Sequence, residues 1–272
     1  MESKIAEAIS LKYNPVAIIW TDKKPENAIQ FKKGGQGCVM NMLASAAKGR
    51  TAVFDRETFG CPGGGVGLGF GNQYLNFPGG INCFYGFLSN GNEHTENGRS
   101  MAEKMANFAR KELIDDFRHG EGYIKSPELV KKWVELLPIV DIPAKYTVFK
   151  PLKEADLNIE EPAIVSFLVN PDQLSALVVL ANYGRESNDN VIVPFAAGCQ
   201  SIGIIPYREC RSENPKGVIG LVDISARNNI RQMGKDLMTF TVPFKMFNEM
   251  EGNIEGSFLR KESWKTLRES ML

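Results

Sequence analysis

The sequence predicts a mixed α/β fold (α+β mixed), with mixed sheets covered by helices. Three observations point there. Apolar runs of strand length, VAIIW (16–20), AIVSFLV (163–169), GVIGLVDIS (217–225) and LMTFTVP (237–243), are rich in β-branched and aromatic residues. Stretches with helix-start signals, such as Ser126-Pro127 and Asn170-Pro171, lie between them. A chain of 272 residues suits one large domain or two related αβ halves, expected at 1–144 and 145–272 and closely packed. NPVAIIW in the first half is echoed by EPAIVSF in the second.

Taken in order, residues 2–12 place Ile5, Ile9 and Leu11 among polar residues, a short amphipathic helix. Asn14-Pro15 ends it, and VAIIW follows as a buried strand. After the loop KKGGQG, VMNMLASAAKG (39–49) has small and apolar residues at helical spacing and stops at Gly49. TAVF (51–54) is a strand leading to the glycine-rich stretch 60–98. That stretch is expected to hold turns and one or two short strands, packed by Tyr74, Phe77, Phe84, Tyr85 and Phe87.

Ser100 with Glu103 reads as a capping box opening a helix to about residue 117, with Met101, Met105, Phe108 and Leu113 inward. A second helix runs from Ser126-Pro127 to Pro138, with Leu129, Trp133, Leu136 and Leu137 as its apolar face. In the second half, YTVFKP and AIVSFLV are strands, and a helix runs from Asn170-Pro171 to about Tyr183. VIVPF (191–195), GVIGLVDIS and LMTFTVP complete the strand set, with helices at 244–250 and 261–270.

Composition narrows the function. Lys plus Arg balances Asp plus Glu at 32 each, which argues against nucleic acid as the main partner. No apolar run is long enough to span a bilayer, and MESKIAEAISLKY carries charges where a signal peptide has its apolar core. A cytoplasmic protein without a membrane partner is expected. Its five cysteines then read as thiols, metal ligands or core residues rather than disulfides.

Three of those cysteines sit at glycine-rich breaks. Cys38 follows KKGGQG, Cys61 opens CPGGGVGLGFG, and Cys199 follows Ala-Ala-Gly. Glycine lets backbone crowd a sulfur and aim N–H groups at it, which puts Gly63 and Gly64 beside any ligand at Cys61. Cys38 lies just ahead of a helix N-terminus, a setting that lowers a thiol pKa. No CxxC pair occurs, so a shared site has to be assembled by tertiary folding. Cys83, in INCFYGF, reads as core, and Cys210, in YRECRSEN, as a surface thiol. The glycine run lacks the strand–turn–helix order of a dinucleotide fingerprint, and there is no GxxxxGK[ST] phosphate loop. His94 and His119, the two histidines, read as solvated loop residues. Asp223 and Arg227, in VDISAR at the end of a strand, are candidate site residues with a structural salt bridge as the rival reading.

A set of motifs carries a resemblance across nearly the whole chain: Cys38 ahead of a small-residue helix, CPGGGVGLGF at 61–70, FPGG at 77–80, FLSNG at 87–91, AAGCQSIGIIP at 196–206, NPKGVIGLVDISAR at 214–227 and LMTFTVPFKMF at 237–247. Together these resemble the domain of unknown function 169 family, found in bacteria and archaea and largely in anaerobes. The resemblance implies that Cys38, Cys61 and Cys199 are the cysteines to group. It also implies a further cysteine in many relatives at the position of Asp223, leaving a fourth position here to Asp223, water or substrate.

The leading expectation is an iron–sulfur protein whose [4Fe–4S] cluster is held by Cys38, Cys61 and Cys199, with Arg227 orienting a small anionic ligand at the open iron. A zinc site of the same thiolates with Asp223 is the alternative. A metal-free small-molecule binding protein with Cys61 as a reactive thiol is the third reading.

Overall fold

In the computed structural model, which describes residues 1–107 and 109–270, seven strands form a single mixed sheet. They are β1 Val16–Thr21, β2 Ala52–Phe54, β3 Tyr146–Pro151, β4 Ile164–Val169, β5 Val191–Ile192, β6 Gly217–Gly220 and β7 Met238–Pro243. Their order is β2-β3-β1-β4-β7-β6-β5. Every pairing is antiparallel except β5 with β6. Both expected sequence halves supply strands to this one sheet. By its contacts the chain divides into two compact units, residues 1–70 with 140–272, and residues 71–139. All seven strands belong to the first.

Strand alternation gives the sheet two buried faces. Ala17, Ile19, Val165, Phe167, Val169, Phe240 and Val242 point to one core. There they meet α1 (Lys4–Ala8), α8 (Pro171–Asn182) and α12 (Phe244–Asn253) through Ile5, Leu177, Phe247 and Met250. Val16, Ile18, Phe149, Ile164 and Leu168 point to the other, against α2 (Val39–Ala47) through Val39, Met40 and Leu43. Cys199 belongs to this second core. Helix α8 opens as its sequence predicts: the Asn170 side chain accepts from Gln173 N, the Gln173 side chain accepts from Asn170 N, and Pro171 is the first helical residue.

Several elements differ from expectation, each for a local reason. Residues 62–67 form a helix, α3 (Pro62–Gly67), and residues 81–87 another, α4 (Ile81–Phe87), where turns and strands were expected. Pro62 at the first helical position starts α3, and tertiary packing that has no room for side chains overrides its poor helix propensity. The expected helix from Ser100 instead begins at Glu96, because Thr95 is extended and its hydroxyl accepts from Gly98 N. It is split into α5 (Glu96–Met105) and α6 (Lys111–His119); Phe108 lies outside the described residues.

Helix α7 (Pro127–Leu136) is capped by Ser126 as expected, but Val130 and Val134 are its buried residues, while Leu129 and Leu136 are exposed. Pro194 cuts β5 short, leaving Val193 and Phe195 exposed. The strand at 217–225 ends at Gly220, and Asp223 caps α11 (Ile224–Asn229) instead.

Within the second unit, Tyr74 stacks on Phe84 with ring centroids 3.8 Å apart, and Phe77 packs on Phe84, Phe87 and Phe117. Asn92 ties this unit together by donating to the Cys83 and Phe117 carbonyls. The C-terminal helix α13 (Glu262–Ser270) docks in the first unit through Trp264, whose indole N–H donates to Ala8 O at 2.9 Å. No helix among the described residues is long and apolar enough to cross a membrane.

Candidate functional site

Three cysteines far apart in sequence stand at the starts of three different helices in the first unit. Cys38 is the N-cap of α2, extended at φ −92° and ψ 121°, with no side-chain bond to the helix. Cys61 is the N-cap of α3, and its Sγ accepts from Gly64 N at 3.3 Å. Cys199 is the second residue of α9 (Gly198–Ile202), which runs into α10 (Ile204–Glu209). The Gln200 side chain holds the start of α9 by accepting from Ala197 N at 3.0 Å. The Cys199 thiol donates to Gly63 O at 3.0 Å, so the loop predicted to crowd Cys61 touches Cys199 as well. Gly63 and Gly64 therefore lie between two of the thiols, one by its carbonyl and the other by its N–H.

Asp223 brings in a fourth helix start. Its Oδ1 accepts from Ala226 N at 2.5 Å, capping α11, and its Oδ2 accepts from Gly198 N at 2.6 Å, the first amide of α9. One carboxylate thus ties the helix carrying Cys199 to the end of β6, with only 8% of the residue exposed. Both oxygens are occupied by amides, which makes Asp223 a strut for Cys199 in this arrangement.

Arg227 has a similar structural role. Its guanidinium donates to Leu221 O at 3.3 Å, to Leu237 O at 3.1 Å, to Lys235 O and to the Met238 sulfur. It fastens the loop after α11 to the end of β6, and its charge opposes the upward shift of the Asp223 carboxyl.

The thiols and Asp223 share one leading electrostatic influence, burial. Burial pushes the Cys38 thiol up to about 11, with Cys61 and Asp223 adding to the shift and the Met40 and Asn41 amides opposing it. The helix start was expected to lower this pKa; desolvation outweighs the amides instead. Burial likewise raises Cys61, against the Gly64 and Gly63 amides. Cys199 is raised well above the ordinary thiol value, first by burial and then by the negative charge of Cys61, Cys38 and Asp223. Asp223 is itself raised by burial. Each thiol is therefore held neutral in the absence of a cation, and a bound metal would invert that balance.

A single tetrahedral zinc ion, with Zn–S near ~2.3 Å, would gather its ligands within about 4 Å of one another. Among the described residues no group of three or more His, Cys, Asp or Glu side chains is gathered closely enough to hold a metal ion of any kind.

The remaining candidates lie elsewhere. Cys83 is buried in the second unit with Ala102, Met105 and Phe117, as its apolar setting predicts, and Asn97 donates to its sulfur at 3.4 Å. Cys210 is an exposed thiol after α10. His94 and His119 are exposed residues of the second unit. All five cysteines are free thiols.

Sequence reasoning missed the glycines at which the cysteine-bearing elements meet. Gly67 and Gly203 pack α3 directly on the backbone of α9, and Gly60 meets Gly37 just ahead of Cys61 and Cys38. Their signal was present only as glycine density. The partnership of Asp223 with Gly198 had none, because it joins loops that only the sheet brings together. Neither the curated proteins nor the solved structures yield a match. The family model for domain of unknown function 169, described as uncharacterised ArCR, matches residues 4–253, and the chain belongs to that family.

Proposed function

We propose that this chain is an iron–sulfur protein, binding a [4Fe–4S] cluster through Cys38, Cys61 and Cys199. One observation carries the reading: three thiols from distant parts of the sequence stand at the starts of three different helices, with α3 packed on the backbone of Cys199 and the Cys61 and Cys38 loops meeting at Gly60 and Gly37. In the metal-free protein the thiols stay protonated, and a cationic centre with several irons would stabilise the thiolates that burial and mutual repulsion disfavour. A zinc site that adds the Asp223 carboxylate is the second reading; it asks Asp223 to bind metal while its two oxygens accept from the Gly198 and Ala226 amides. A reactive-thiol reading is disfavoured by the upward pKa of Cys61, since the thiolate is the nucleophile.

When bound, such a cluster supplies electron transfer or, at an iron without a cysteine, a Lewis-acidic position for a small molecule. The protein's own contribution is positional. Gly64 N–H donates to Cys61 sulfur, and the Cys199 thiol gives up its bond to Gly63 O on ligation, freeing that sulfur. Asp223 holds the first amide of α9, next to Cys199, and Met40, Leu221 and Phe59 belong to the same apolar core as Cys38 and Cys199. Free thiols throughout fit a reducing, cytoplasmic setting.

Anaerobic purification or reconstitution with iron and sulfide tests the proposal. Brown protein with about four irons and four sulfides per chain is expected. Colourless protein that takes up no iron under these conditions contradicts it.

A further inference from the structure

We infer that four glycines, Gly37, Gly60, Gly67 and Gly203, are positioning residues that set the distances between the three thiols, an inference that rests on the cluster reading for its biological use. Two contacts define the arrangement. Gly67 ends α3, six residues after Cys61, against the backbone of Cys199. A Cβ at Gly67 would stand 2.6 Å from the Cys199 carbonyl carbon, 2.7 Å from its oxygen and 2.8 Å from its Cβ. Gly203, which ends α9, is the reciprocal half: a Cβ there would overlap Gly67 O. None of these obstacles is the far end of a flexible side chain, so no rotamer change relieves the clash, and any side chain at 67 or 203 has to push α3 and α9 apart. Since Cys61 and Cys199 ride on those two helices, their separation changes with it.

The second contact joins the other pair. Gly60 and Gly37 immediately precede Cys61 and Cys38. A Cβ at Gly60 would overlap Gly37 O, and the ring of Phe31 lies against both glycines. Gly60 also holds φ at +82°, a backbone state that other residues adopt under strain. The Cys38 and Cys61 loops are therefore locked at adjacent residues, and the Cys61 and Cys199 helices at Gly67. Cys61 is common to both contacts, so the spacing of all three sulfurs follows from them.

Cadmium titration of the reduced, metal-free, full-length protein reads this spacing, because the near-ultraviolet sulfur-to-cadmium band grows with the number of thiolates on the ion. Wild type and Cys199→Ser give the reference intensities, and wild type is expected to engage all three thiolates. Gly67→Ala and Gly60→Ala are expected to keep the circular dichroism of the folded metal-free protein while melting at a lower temperature. They should bind cadmium about 10- to 100-fold more weakly and with fewer thiolates. Gly252→Ala, where a Cβ meets nothing within 4 Å, should titrate as wild type does.

The band separates positioning from stability, since a merely structural glycine would alter melting and leave the thiolate count intact. One folded variant that weakens as described is enough to sustain the inference. It is overturned if every folded variant binds like wild type, if both variants fail to fold, or if wild type engages fewer than three thiolates. Wild type that binds cadmium through three thiolates yet forms no iron–sulfur cluster defeats the cluster reading and leaves the spacing inference standing.

Discussion

Replacing Asp223 removes the single side chain that ties two helix starts together. Asp223→Ala strands the buried amide of Gly198 and the partly buried amide of Ala226, from which the carboxylate accepts at 2.6 and 2.5 Å. Hydrogen bonds to a charged acceptor contribute about 1.5 kcal/mol or more each, so two come to roughly 3 kcal/mol. Against this, the carboxylate is itself costly to bury, as its raised pKa records, which offsets part of that loss. The net expectation is a loss of about 2 kcal/mol. Asp223→Asn keeps one acceptor oxygen and sheds the charge, so its loss should be about half as large.

Urea unfolding of the metal-free protein, followed by circular dichroism, reads both variants at unchanged slope. Because the Gly198 amide opens the helix that carries Cys199, both variants should also bind cadmium more weakly. An alanine variant as stable as wild type, within about 0.5 kcal/mol, would refute the assignment of Asp223 as a strut.

Two further outcomes follow from buried polar groups. The Thr239 hydroxyl is fully buried in β7 and has no hydrogen-bond partner among the described residues. Thr239→Val, of nearly the same shape, should raise stability by about 1 kcal/mol in the same urea assay, and an unchanged or lower midpoint would contradict this. Cys38, with its pKa pushed up to about 11, stays a thiol until strongly alkaline pH. In the metal-free protein, alkylation of Cys38 at pH ~8 should run roughly a hundredfold slower than that of a free thiol with pKa near ~8.5, then accelerate about tenfold per pH unit up to pH ~10. Mass spectrometry of the labelled peptide checks this, and a rate matching free cysteine would show that burial does not govern this thiol.

How much of this was legible in the sequence varies along the chain. VAIIW, AIVSFLV and TFTVP became β1, β4 and β7 because their alternation and branched side chains satisfy two apolar faces at once, a property stored locally. The starts of α7 and α8 were readable for the same reason: Ser126 and Asn170 cap within four residues of themselves. Stretch 60–90 was not, because its glycines argue against helix by intrinsic preference, while the reason for α3 lies in the backbone of Cys199, more than a hundred residues away. The start of α5 moved from Ser100 to Thr95 because two hydroxyl residues competed for one cap and only the extended one could serve.

The candidate site divides in the same way. Cys38, Cys61 and Cys199 announced themselves through flanking glycine, and the fold places all three in one unit at helix starts. Asp223 and Arg227 act as struts for loops through their backbone hydrogen bonds. Neither residue carries a local sign of which carbonyl or amide it will meet, so only the folded chain could assign them.

The most direct test of the central claim compares bound iron in wild type with that in Cys38→Ser, Cys61→Ser, Cys199→Ser and Cys83→Ser, all handled without oxygen. The account predicts a full complement in wild type and Cys83→Ser, and a steep loss of iron and visible colour in each of the other three. Wild type without iron, or three site variants that retain it as Cys83→Ser does, would contradict the account.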